Sequence, residues 1–184
     1  MVEETARILA EGRHTSFKLK MGAMAAPADV ARVTAIADAL EGAAPLAVGL
    51  NGAWDECTAR RWLPALAEAG VHLVEQPLPA EQVGGLARLR ERSSAAIMAD
   101  ESLWTPADAL RLAIVQAADV PALKIGKSGG LSGPRRIAAI AEAAGIDCYG
   151  GTTIEPRSAP PPRPTCSAPC LPSSSARSCS APSC

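Results

Sequence analysis

The chain has 184 residues, 48% of them hydrophobic but only five aromatic, so Ala, Leu, Val and Ile must pack any core. A formal charge of -1 argues against a nucleic-acid or anionic-membrane partner, and no run of about 18 apolar residues offers a spanning helix. The acidic, amphipathic start MVEETARILAEGR does not fit a secretory signal, which makes a cytoplasmic protein the expectation.

In chain order, residues 2–12 read as a helix and SFKLKM at 16–21 alternates like a strand. Residues 28–40 carry a helical stripe of Val30, Val33, Ile36, Ala37 and Leu40, and 46–50 form a short apolar strand. Residues 55–69 are helical and closed by Gly70 as a C-cap; 71–75 are a strand stopped by Pro77 and Pro79. A helix follows at 81–92 and a strand at 96–99. Thr105-Pro106 has N-cap and N1 chemistry and opens a helix to about Ala117. A strand at 121–125, a helix from Gly133-Pro134 to Ala144 and a strand at 147–149 complete the pattern. Strand and helix alternate about six times, the rhythm of parallel βα units. Short buried strands fit a (β/α)8 barrel or a doubly wound sheet; no GxGxxG follows the first strand, which weakens a dinucleotide fold.

Composition breaks near residue 155. Residues 156–184 hold eight of the 16 prolines, eight serines, four of the six cysteines and no acid, for a charge of +3, whereas 1–155 carry -4. The tail is too poor in apolar residues to offset its ordering entropy, and reads as disordered. Cys166 and Cys170 are spaced C-x3-C, but Cys179 and Cys184 do not repeat this and no histidine is near, so a zinc site is disfavoured. Only Cys57 and Cys148 lie in the first part, as in a reducing compartment.

Polar residues recur in register with the βα period: Lys18 and Lys20, then Asn51, Glu75, Asp100 with Glu101, Lys124 and Glu155. In a barrel these strand ends all face one mouth, where the chemistry of such a fold sits. Lys18 and Lys20 are two apart and share a face, opposite Phe17 and Leu19; Glu75 would share a face with Val71 and Leu73. Two carboxylates from neighbouring strands make a hard-oxygen site suited to Mg2+ or Mn2+. Lysines on both sides would face a substrate anion, and a crowded lysine pair suits proton transfer to and from carbon. Taken singly, a KxK, an EQP or an ADES is an ordinary solvated strand or loop; it is the recurrence that points to a site. Lys127, just outside Lys124's strand, reads as a solvent lysine.

The strings SFKLKMGA, LNGAWDE, VEQPLPA, IMADESLW, LKIGKSGGL and AEAAGIDCYGGTTIE, from about Arg13 to Glu155, resemble the enolase superfamily in its muconate-lactonizing branch. That resemblance implies an incomplete (β/α)8, TIM-type barrel over residues 1–155, and an activity on a small dicarboxylate, cis,cis-muconate or chloromuconate, cyclised to a lactone through an enolate. It implies Lys20 as the proton donor or acceptor on carbon, Lys18 as its neighbour on the carboxylate, and Lys124 on the opposite side of the substrate. It also implies Glu155 near the enolate, Glu75 and Asp100 as two of three ligands to Mn2+ or Mg2+, and a homo-oligomer for an intact member. Lysine bases beside Mg2+ on an enediolate are a general feature of that superfamily. A histidine base is disfavoured, since His14 and His72 both fall away from the mouth; o-succinylbenzoate synthases and N-acylamino-acid racemases share the two lysines and are the alternative.

Three departures bear on that reading. Gly49 stands where the family has the first ligand Asp, so weak Mn2+ binding and negligible turnover are expected even in a completed barrel. The family's N-terminal capping domain and first barrel strand have no counterpart. The stretch PRSAPPPRPTCS replaces the family's continuation; shifting the codons by one base permits SIGTAASAHLF, so 156–184 is expected to be an out-of-frame translation and the chain a fragment or inactive remnant.

Overall fold

The computed structural model describes residues 2–12 and 14–151. Helix α1 (Val2–Ala10) precedes five strand-helix pairs and a last short strand: β1 (Phe17–Lys20), α2 (Ala26–Leu40), β2 (Leu46–Gly49), α3 (Glu56–Glu68), β3 (Val71–Glu75), α4 (Val83–Arg92), β4 (Ala96–Ala99), α5 (Pro106–Ile114), β5 (Val120–Leu123), α6 (Ser132–Ala143) and β6 (Tyr149–Gly150). All strand pairs are parallel, and the order across the sheet is β1-β2-β3-β4-β5-β6. A doubly wound sheet reverses its order at a switch point; this one never does, which is the order of a barrel. The fold is a partial (β/α) barrel.

Local chemistry sets the helix ends. The Asp55 carboxylate caps α3 by accepting from the Thr58 N–H at 2.7 Å. Thr105 and Asp108 form a reciprocal capping box at α5, with Pro106 at the first helical position. The expected helix to Ala117 ends instead at Ile114. Gln116 takes a left-handed φ of 51°, and the chain turns inward to bury Ala117 and Ala118. Helix α2 starts earlier than its apolar stripe, because Pro27 is accommodated in its first turn, and the final strand falls at 149–150 rather than 147–149.

The main core lies between sheet and helices and includes Val33, Ile36, Val48, Leu66, Val74, Leu86 and Ile97, with Phe17 and Leu19 packed against it. A second, smaller layer of Ala47, Leu73, Met98 and Ala122 fills the concave side. Val71 packs with the outer core at a register shift between Leu46 and Ala47, so it does not line the concave side with Leu73 as strict alternation predicted. One register row crosses the sheet as Lys20, Gly49, Glu75, Met98 and Val120, so the charged ends of β1 and β3 stand level with Met98 at the margin of the small layer. The apolar floor therefore ends where the charged strand ends begin. No described helix is long and apolar enough to cross a membrane.

Candidate active site

Glycine at 49 leaves a gap between Lys20 and Glu75 in that row, and the two side chains meet across it: Lys20 Nζ is 3.5 Å from Glu75 Oε2. Lys18 Nζ lies 2.6 Å from Glu75 Oε1, and Lys124 Nζ 4.0 Å from the same oxygen. Lys124 also donates to Asp100 Oδ2, and Lys127 to Asp100 Oδ1 at 2.7 Å and to the Asp100 carbonyl. Both carboxylates are buried, which water-poor surroundings permit only because they are paired. Burial opposes ionisation of Asp100, but the bonds from Lys124 and Lys127 outweigh it and hold its carboxyl below the usual carboxylate range.

Asn51, in a left-handed conformation just past β2, links the outer rim. Its Oδ1 accepts from Lys20 Nζ at 2.9 Å, and its Nδ2 donates to Glu101 Oε1 at 2.6 Å. The structure thus gathers Lys18, Lys20, Glu75, Asp100 and Lys124 at one mouth. Glu155 and the segment 156–184 lie outside the described residues. His14 and His72 are both exposed and take no part in the cluster.

Two participants escaped sequence reasoning. Lys127, expected in solvent, is 5% exposed, bound to Asp100 and set 5.2 Å from the centre of the Trp104 ring. The chain after β5 coils through a turn, with Ser128 N–H donating to the Lys124 carbonyl, and this swings the residue three positions on back over Asp100. The three-residue spacing of the two lysines was the available signal. Gln76 is fully buried at a φ of 41°. Its Nε2 donates to the Leu78 carbonyl and Ser102 Oγ, both at 2.8 Å, and its Oε1 accepts from Asp100 N at 3.0 Å and Ser102 N at 3.1 Å. One amide therefore ties the residue after Glu75 to the backbone of Asp100. A turn between strand and proline gave no hint of a buried side chain.

The expectation of Mg2+ or Mn2+ on Glu75 and Asp100 can be tested against the donors. A side chain at 49 would begin with a Cβ 2.6 Å from Glu75 Oε2, 3.1 Å from Lys20 Nζ and 3.3 Å from Lys18 Cε, so the Glu75 carboxylate fills the volume a third ligand would need. All four oxygens of Glu75 and Asp100 already face an ammonium group. Among the described residues no group of three or more acidic, histidine or cysteine side chains could hold an ion. The described donor set does not fit a resident divalent cation.

The profile of the enolase C-terminal domain-like family matches residues 1–159. A muconate cycloisomerase 1 from Rhodococcus opacus is 50% identical over 155 residues, covering 84% of this chain and 42% of the relative. A chloromuconate cycloisomerase from Pseudomonas sp. (strain P51) is 42% identical over 154 residues, covering 84% and 42%. Among solved structures, a muconate lactonizing enzyme from Pseudomonas fluorescens complexed with muconolactone superposes with a TM-score of 0.79 at 47% identity, covering 82% of this chain and 41% of that one. The chain spans less than half the length of these relatives.

Proposed function

The chain belongs to the enolase C-terminal domain-like family, and from that premise we propose that it supplies the lysine-bearing side of a cycloisomerase site that closes cis,cis-muconate, or a chloromuconate, to a lactone. The observation that carries this is the placement of the lysines. Lys18 and Lys20 approach Glu75 from one side, and Lys124 spans Glu75 and Asp100 from the other. In this reading residues 1–155 are the partial barrel domain that carries these side chains. One substrate carboxylate oxygen forms a bond to a carbon of the far double bond. The displaced electron pair moves onto the carbon alpha to the second carboxylate and into that carboxylate as an enolate. Lys18 and Lys124 face the charge that develops there, and Glu155 lines the site near it. Lys20 delivers its proton to the alpha carbon and regains one from water, for which its 61% exposed side chain is suited. Asn51 holds Lys20 in place at 2.9 Å.

The test is a chimera in which residues 1–155 replace the matching stretch of the Rhodococcus opacus relative. Its consumption of cis,cis-muconate is followed by loss of ultraviolet absorbance. Turnover is expected in the chimera that also carries Gly49→Asp, and Lys20→Met in that background should slow it at least ~100-fold, the scale of a general acid-base contribution. No turnover, or turnover indifferent to Lys20, would refute the proposal.

A further inference from the structure

Four ammonium groups, from Lys18, Lys20, Lys124 and Lys127, share the mouth with three carboxylates, from Glu75, Asp100 and Glu101. Among the described residues the balance is positive before any ligand or metal arrives. We infer that lysine ammonium groups alone carry the attractive charge of this site, so that it takes a small dicarboxylate without a divalent cation. This rests on the dicarboxylate reading above and goes beyond it in removing the metal.

Three observations converge. First, Gly49 contributes no carboxylate, and its Cβ volume is filled by Glu75 Oε2. A cation entering between Glu75 and Asp100 would therefore have to move Glu75 as well as find a third donor. Second, a cation would also have to displace ammonium groups from all four carboxylate oxygens, including Lys127, which is 5% exposed and held under Trp104. That exchange sets buried, fixed charges free, whereas hard divalent ions need several anionic or carbonyl oxygens to repay their own dehydration. Third, the outer pair is built differently from the inner pair. Lys124 and Lys127 are 12% and 5% exposed and saturate Asp100, whereas Lys18 and Lys20 are 34% and 61% exposed. An ammonium group has three donors. Lys18 turns one to Glu75, and Lys20 uses two on Asn51 and Glu75, so both keep hydrogens for an incoming oxygen. The inner lysines neutralise Asp100; the outer lysines share Glu75 and meet the anion with the hydrogens that remain.

The probe is adipate, an unreactive six-carbon dicarboxylate, titrated calorimetrically into the full 184-residue chain at low salt, with far-ultraviolet circular dichroism recording the folded fraction. Binding is measured in EDTA and again with Mn2+, and bound Mn2+ is followed by electron paramagnetic resonance. The expected result is an adipate Kd that agrees within about twofold with and without metal, weakens about tenfold in Lys20→Met, and is accompanied by no bound Mn2+ signal. Gly49→Asp restores a carboxylate and is expected to bind Mn2+ and to make adipate binding EDTA-sensitive. Gly49→Ala fills the same volume without a ligand and is expected to stay EDTA-insensitive, which separates added bulk from added charge. Adipate binding to the chain that EDTA abolishes would overturn the inference while leaving the proposed function standing. No adipate binding by the chain or either variant, with or without Mn2+, would overturn both.

Discussion

Replacing Gln76 by Met keeps the side-chain volume and removes every hydrogen bond that the side chain makes. Gln76 is fully buried, and its amide serves the Leu78 carbonyl, Ser102 Oγ and the N–H groups of Asp100 and Ser102. Ser102 Oγ keeps a second partner in the Ala80 carbonyl. Three backbone groups would then be left buried without partners. Each such group costs about 1–3 kcal/mol, and neighbours that relax together do not add in full, so the expected loss is about 3–5 kcal/mol. That is a large share of the ~5–15 kcal/mol that holds an ordinary domain together. Urea unfolding followed by circular dichroism measures it, with an unchanged m-value confirming that the same surface is exposed. Gln116→Met is the control, the same chemical change at an exposed left-handed position, expected to shift stability by under about 0.5 kcal/mol. A loss below about 1 kcal/mol for Gln76→Met would show that the amide does not hold the two strand ends together.

Thr105→Val removes the hydroxyl half of the α5 capping box and should cost about 1 kcal/mol in the same unfolding assay. Burial opposes ionisation of the Asp108 carboxyl, but the Thr105 hydroxyl and the N–H groups of Thr105 and Trp104 bring it below the usual carboxylate range. Its contribution to stability is therefore complete above that range and disappears as pH falls through the folded-state value; Asp108→Asn should flatten this acid limb in melts taken across pH. Gly22→Ala should lower the melting temperature markedly, by an amount equivalent to about 1–3 kcal/mol, since Gly22 has a φ of 96° and an added Cβ would sit 2.5 Å from Ala53 Cβ. An unchanged melt would mean that the β1–α2 and β2–α3 loops do not meet as described.

The repeat of short apolar strands and amphipathic helices was readable because parallel strands buried on both sides leave near-continuous apolar runs such as Leu46–Gly49 and Ala96–Ala99. The gathering of Lys18, Lys20, Glu75 and Asp100 was readable because strand ends in such a sheet converge on one mouth. What the sequence hid was decided by loop geometry. Lys127 is brought inward by a turn, and Gln76 is buried by a left-handed backbone that local pattern does not announce. The end of α5 departs from expectation for the same kind of reason. Alanine is the best helix former, so Ala117 and Ala118 favour continuing the helix locally, but the core claims both side chains first. Gly49 was legible as a missing carboxylate, yet only the structure shows the Glu75 carboxylate lying in its place.

The strand order β1 to β6 repeats the order of the chain, so each strand-helix unit touches chiefly the units made just before and just after it. Such a sheet is close to a one-dimensional stack, whose stability is set by units and by the interfaces between neighbours. Its ends and its middle are then unequal. Among the described residues, loss of the two-residue β6 removes a single interface, with β5. Loss of β3 removes two interfaces at once, with β2 and β4, and leaves Lys18 and Lys20 on one piece and Asp100 and Lys124 on the other. Damage at the rim is a local matter for this architecture, whereas the strand that carries Glu75 is the seam on which both halves of the charged mouth depend.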